Sequence, residues 1–163
     1  DTFFVNQHKA LAEMPAELKS RLSGKTAVHS ARFAYSPEGA YGKEENIGSM
    51  DIRPSEEAYR EHSHELLRAH PETGEPGIYV NNGFTSHIKG LSAEESSDLL
   101  RHLYAQAANP EYQCRFKWEA GSIAFWDNRA CQHNAVSDYF PQVRIMERAT
   151  IKGDRPYYRP EAE

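Results

Sequence analysis

Apolar side chains recur at helical spacing in one long stretch of the chain and in two short ones near its start. Leu99, Leu100, Leu103, Tyr104 and Ala107 fall at separations that place them on one helix face. Ser92 followed by Glu95 ahead of them is the pattern of a capping box, in which hydroxyl and carboxylate satisfy the first free backbone amides, and Asn109-Pro110 closes the run. Nearer the start, residues 5–14 carry Ala10, Leu11 and Met14, and Pro15 opens a second segment with Leu18 and Leu22 before Gly24. The spacing predicts two short helices, with Pro15 at the first position of the second and Gly24 as its stop.

Elsewhere the pattern is strand-like or absent. Residues 66–71 and 77–82 flank the turn-forming stretch Pro71-Glu72-Thr73-Gly74-Glu75-Pro76-Gly77 and predict a hairpin. Residues 113–118, 122–126 and 143–151 are rich in β-formers and separated by turn residues. Residues 54–64 are polar and are expected to be helical. Residues 26–52 hold Gly39, Gly42, Gly48 and Pro37 with no sustained period, which predicts a long irregular region of the kind that is often functional. No internal repeat is present, and the second half reads as mostly sheet with one helix laid across it.

Composition narrows the class without naming a function. A chain of 163 residues is long enough for one domain and short for two. With 39% hydrophobic and 26% charged residues, disorder is excluded. A formal net charge of -5 with scattered basic residues lacks the footprint for nucleic acid or anionic membrane, leaving a small-molecule partner. Cys114 and Cys131 are too few for a disulfide framework, and no apolar run approaches the roughly 20 residues of a membrane span. A cytoplasmic location is expected. The first residue is Asp1 and not Met, which reads as a boundary inside a longer protein.

The densest chemistry lies in residues 121–156. Two strands joined through Asp138-Tyr139-Phe140-Pro141 are the simplest geometry, the first leading to His133 and the second over residues 143–151. On the second, alternation puts Arg144, Met146, Arg148 and Thr150 on one face and Val143, Ile145, Glu147, Ala149 and Ile151 on the other. Taken singly, these residues allow a plain reading, with both arginines in water and His133 structural.

The joint pattern points further. Trp126-Asp127-Asn128-Arg129, then Gln132-His133, then arginines eleven and fifteen positions after that histidine resemble the taurine dioxygenase (TauD/TfdA) family of Fe(II)/2-oxoglutarate-dependent dioxygenases, alkylsulfatase-type members included. Independent stretches agree. Asp1-Thr2 is similar to the end of that family's Gly-Gly-Asp-Thr turn, and Leu22-Ser23-Gly24 to the close of its next helix. His70-Pro71 with Thr73-Gly74, followed by Tyr79-Val80-Asn81-Asn82-Gly83-Phe84-Thr85, is similar to its central hairpin, and Lys152-Gly153-Asp154-Arg155-Pro156 to its tail.

The resemblance implies a double-stranded β-helix, a jelly roll with flanking helices, incomplete in this chain, and makes residues 1–163 the C-terminal part of one dioxygenase domain. It implies Fe(II) held by two histidines and a carboxylate, with His133 as the second histidine. Arg144 and the hydroxyl of Thr2 would hold the remote carboxylate of 2-oxoglutarate, the cosubstrate. Arg148 would hold the charge of a small anionic substrate, a sulfonate or sulfate ester, with Phe84 and Tyr35 as aromatic walls. Trp126, Asp127 and Asn128 are explained by packing and strand termination. The implied reaction hydroxylates the carbon bearing the sulfur group and releases sulfite or sulfate, succinate and CO2, in a dimer or tetramer.

The family's His-x-Asp or His-x-Glu pair precedes the turn within which this chain begins. Only His70-Pro71-Glu72 has that spacing, and it falls in the hairpin match, so it receives no ligand role. His62-Ser63-His64 lacks a third ligand. The incomplete iron site leaves a second reading, a non-catalytic interaction domain of the same fold.

Overall fold

The computed structural model describes residues 1–43 and 52–158. Strand β1 (Thr2–Asn6) leads into helix α1 (Gln7–Ala12), whose first turn is capped by Asn6 Oδ1 accepting from the Lys9 amide at 2.9 Å. Helix α2 (Ala16–Ser20) follows directly after Pro15, and the chain turns back at Gly24, whose φ of 67° is the left-handed conformation that glycine tolerates best. Then come β2 (Thr26–Ser30), α3 (Arg32–Tyr35), β3 (Glu61–Glu65), β4 (Leu67–Ala69), β5 (Pro76–Ile78) and β6 (Thr85–Ile88). Helix α4 (Ala93–Ala107), β7 (Gln113–Phe116) and β8 (Cys131–Ala135) complete the set.

Among the described residues all strand pairs are antiparallel and fall into three small sheets ordered β7-β1-β8, β3-β2-β6 and β4-β5. The fold is mixed and mostly β. Helix α4 forms as its pattern dictates: Ser92 Oγ accepts from the Glu95 amide at 3.2 Å and Glu95 Oε2 accepts from the Ser92 amide at 2.9 Å. It buries Ser96, Leu99, Leu100 and Leu103 along one stripe. Ser96 Oγ accepts from the Ile88 amide at 2.8 Å, tying this face to β6. Leu99, Leu100 and Leu103 share one core with Ala10 and Leu11 of α1, Leu66, Ile78 and Ile88. Gln106 Nε2 donates to the Ala10 carbonyl at 2.9 Å, closing α4 onto α1. Helix α1 sits so close to β5 that a Cβ on Gly77 would lie 3.1 Å from His8 Nδ1.

Three expectations are corrected. Within residues 54–64 only Glu56–Tyr59 forms a 3-10 turn, and Glu61–Glu65 pairs with β2 from Ser30 to Thr26. Ladder bonds to β2 outweigh a weak local helix preference. Residues 26–52 are not irregular throughout, because Thr26–Ser30 is the central strand of its sheet; five residues are too few to display a period. Residues 44–51 of that region, with Gly48, lie outside the described residues. The hairpin over residues 66–82 is present as β4 and β5.

The third correction concerns residues 122–126 and 143–151, which form no strand and belong to no described sheet. Val143, Ile145 and Ile151 are 80–88% exposed, and Ile123 and Phe125 are 90% exposed. An alternating segment becomes a strand when a neighbour accepts its ladder bonds and a layer covers its apolar face. Among the described residues nothing does either for these two segments. No described helix is long and apolar enough to cross a membrane.

His29 and His64 meet across β2 and β3 with ring centroids 5.7 Å apart, and both pack against Tyr79. Burial, then the nearby His64 and His62, lowers the pKa of His29 from 6.5 to about 4. The folded state therefore disfavours the charged form. The stability gained by neutral His29 is complete above about pH 6.5 and drains away as pH falls toward 4. Urea denaturation between these limits is expected to show stability falling with acidification, and a flatter profile in His29→Leu; identical slopes would contradict this. Leu99 is 1% exposed, and Leu99→Ala is expected to destabilise by roughly 2–5 kcal/mol in the same assay.

Candidate functional site

The site grows from β1, the central strand of its sheet. Thr2 lies opposite Phe116 of β7 and Ala135 of β8, and Phe4 lies opposite Cys114 and His133. Alternation puts Thr2 and Phe4 on the same face. His133 has the rings of Trp126 at 5.1 Å and Phe4 at 6.2 Å beside it. This partial burial, then the charge of Arg148, holds its pKa below the usual histidine value. The imidazole is thus kept neutral near pH 7, the form that ligates a metal.

Thr2 is 4% exposed and forms the second part of the site. Its Oγ1 accepts from Trp118 Nε1 at 2.9 Å and, more weakly, from Arg144 Nη2 at 3.4 Å. The Arg144 guanidinium lies 5.9 Å from the Trp118 ring and 5.6 Å from the Tyr139 ring. Thr2 and Arg144 are 142 positions apart in the chain and touch. Among the described residues Arg148 bonds to neither of them; its charge contributes, after burial, to lowering the His133 pKa.

A polar turn aims the strand that carries His133. His70 Nδ1 accepts from the amides of Glu72 at 3.2 Å and Thr73 at 3.3 Å, which leaves the proton on Nε2 to donate to Asp127 Oδ2 at 3.1 Å. The same carboxylate accepts from Arg129 Nη2 and from the Arg129 amide, both at 2.7 Å. These bonds, the Arg129 side chain foremost, hold Asp127 far below the usual carboxylate range. The Asp127 carbonyl accepts from the amides of Ala130 and Cys131, each at 3.1 Å, and from Cys131 Sγ. Burial pushes the Cys131 thiol up, so this cysteine is a poor nucleophile. Gln132 Nε2 donates to the Val80 carbonyl at 2.6 Å, anchoring β8 beside His133.

The other expected site residues form a separate aromatic group. Phe84 and Tyr35 stack with centroids 6.2 Å apart at 16°, and Tyr41 packs on Tyr35 at 5.3 Å. Both expected wall residues are partly exposed, at 41% and 38%. Among the described residues the rings beside His133 are those of Phe4 and Trp126, not these. His62 and His64 sit on β3, where His64 packs against His29 and Tyr79.

Residues 1–150 match the family described as "Taurine catabolism dioxygenase TauD, TfdA family". The chain belongs to this family. It is 34% identical over 96% of its length to an alpha-ketoglutarate-dependent sulfate ester dioxygenase of Pseudomonas putida, of which it covers 51%. It is 30% identical over 94% of its length to an alkylsulfatase of Acinetobacter baylyi, of which it covers 48%. The chain thus spans about half the length of these curated relatives. A taurine dioxygenase crystal structure from Burkholderia xenovorans matches 85% of the chain and 42% of that protein, at 36% identity and a TM-score of 0.67.

The TauD-family relationship implies Fe(II) and 2-oxoglutarate. His133, neutral and flanked by rings, fits one imidazole ligand. No group of three His, Cys, Asp or Glu able to hold a metal occurs among the described residues, so they do not complete an iron site. Sequence reading missed Trp118 and Tyr139, whose rings lie near the Arg144 guanidinium. Trp118 meets Thr2 across 116 positions, and no local pattern signals such a contact.

Asp127→Ala removes the acceptor shared by His70 and Arg129 from a half-exposed turn. A loss of about 1–3 kcal/mol is expected, with faster amide hydrogen exchange over residues 131–135. Unchanged exchange there would show that the turn does not hold β8.

Proposed function

We propose that this chain is the C-terminal part of an Fe(II)/2-oxoglutarate-dependent dioxygenase that hydroxylates a small anionic organosulfur compound, an alkylsulfonate or alkyl sulfate. One observation carries the reading: two distant residues, Thr2 and Arg144, converge as hydroxyl and guanidinium on the strand pair that also bears His133. A planar guanidinium beside a hydroxyl suits the remote carboxylate of 2-oxoglutarate. Arg148, whose charge is felt at His133, suits the sulfonate or sulfate of the substrate, where the carbon bearing sulfur would face the metal. Relatives named for sulfate esters support this substrate class.

His133 would be one iron ligand, with a His-x-Asp or His-x-Glu pair supplied by the protein before Asp1. Iron, when bound, couples oxidative decarboxylation of 2-oxoglutarate to hydroxylation of the substrate. The chain's own residues bind and orient: Arg144 and Thr2 fix one end of the cosubstrate, Arg148 fixes the substrate anion, and Trp126 and Phe4 exclude water from one side of His133. Phe84 and Tyr35 would wall the substrate pocket. The hydroxylated product releases sulfite or sulfate, leaving an aldehyde, with succinate and CO2 from the cosubstrate.

The same reading makes the complete domain a double-stranded β-helix. The exposed apolar faces of residues 122–126 and 143–151 support it, since strands elsewhere in the domain would cover them. It also includes a cytoplasmic dimer or tetramer, a location in keeping with two free cysteines.

In the complete protein, Arg144→Ala is expected to raise the KM for 2-oxoglutarate by about 10-fold or more, the scale of a lost charge-assisted bond. Arg148→Ala is expected to raise the KM for the sulfonate or sulfate substrate instead. Steady-state kinetics with each ligand varied in turn tests the division. Equal effects of both variants on both ligands would sink it.

A further inference from the structure

The Thr2 hydroxyl is buried, and its hydrogen bonds run in one direction. A hydroxyl has one proton and two lone pairs. Trp118 Nε1 donates to Oγ1 at 2.9 Å and Arg144 Nη2 approaches it at 3.4 Å, so donors face the oxygen from two sides. Indole and guanidinium N–H groups can only donate. The Thr2 proton is therefore not shared with either neighbour, and it meets no acceptor among the described residues. A buried donor without an acceptor, beside a guanidinium, is arranged for an anion that arrives from elsewhere.

Trp118 creates this arrangement. It stands two residues beyond β7, where Phe116 pairs with Thr2 and packs edge-on against the Trp118 ring at 4.8 Å. Its single N–H is used on Thr2. Its ring and that of Tyr139 both lie within 6 Å of the Arg144 guanidinium, at 5.9 and 5.6 Å, and Arg144 Nε donates to Met146 Sδ at 2.9 Å. Without the indole N–H, the Thr2 hydroxyl is free to rotate and to present its lone pairs toward an incoming carboxylate, which repels it.

We propose that Trp118 is a positioning residue for the 2-oxoglutarate carboxylate: by donating to Thr2 and flanking Arg144, it turns the hydroxyl proton and the guanidinium toward one anion. The inference rests on the reading of Thr2 and Arg144 as the cosubstrate anchor. Trp118 does not itself touch the ligand.

The test uses the complete protein with iron under anaerobic conditions and titrates 2-oxoglutarate calorimetrically. Trp118→Phe keeps an aromatic ring at this position and removes the N–H together with one ring of the indole. Its Kd is expected to rise about 3- to 10-fold, the range of one oriented neutral hydrogen bond, with the KM rising in step and kcat at saturation staying within about 2-fold. Thr2→Val is expected to show a similar rise, and Thr2→Ser to bind like the parent. Because Trp118 acts through Thr2, the double variant Thr2→Val/Trp118→Phe is expected to be no weaker than Thr2→Val alone. Fully additive losses, or a Trp118→Phe protein that binds like the parent, overturn the inference. Arg144→Ala separates the levels: if it too leaves 2-oxoglutarate binding unchanged, the cosubstrate reading itself fails. Should Trp118→Phe not fold, the Trp118 indole N–H remains readable by proton NMR. It is expected to exchange slowly in the parent and faster in Thr2→Val, and equal exchange rates overturn the inference.

Discussion

Everything that resembles a functional site in this chain depends on β1 being paired on both edges. Its antiparallel bonds to β7 and β8 bring the first residues of the chain against segments more than a hundred positions away. The entropic penalty of closing such loops grows only logarithmically with their length, so a five-residue strand with two ladders can hold them. Thr2 meets Trp118 and Arg144, and Phe4 meets Trp126 and His133, only because this register is kept. A slip of one residue would turn both side chains to the opposite face.

The register is kept by polar bonds as much as by apolar burial. The Ala130 carbonyl accepts from the Gln7 amide at 3.0 Å, and the Asp127 carboxylate gathers His70 and Arg129 at the entrance to β8. Such a network is stable because its members are satisfied: His70 accepts on one nitrogen and donates on the other, leaving no open ring atom. The hydrophobic core beneath α4 fixes where β6 and the hairpin lie. The network then sets the direction in which β8 leaves. Scaffold and site are thus held by different physics, area burial for one and directional bonds for the other.

Much was legible locally. The α4 capping box, the Leu99, Leu100 and Leu103 stripe, the turn at Gly24 and the β4-β5 hairpin all appear where spacing and turn chemistry put them. The family was legible too, because its motif joins residues whose separations are set by strand geometry. Two of the misreadings share one cause. Residues 61–65 became a strand because β2 offered a ladder, and residues 143–151 stayed outside any described sheet because nothing offered one. Strand formation is settled by a partner, whereas a capped amphipathic helix carries most of its instructions within its own turn.

The sequence by itself determined helices α1, α2 and α4, the hairpin, the family and the candidate residues His133, Arg144, Arg148 and Thr2, since each rests on short-range spacing or on a motif of fixed offsets. Only the tertiary structure decided which of them meet. It joined Thr2 to both Arg144 and Trp118, set Phe4 and Trp126 beside His133, and stacked Phe84 with Tyr35 as a separate group. The physical reason is that contacts across more than a hundred positions arise from ladder register and side-chain direction, which alternate residue by residue and leave no periodic trace in the chain.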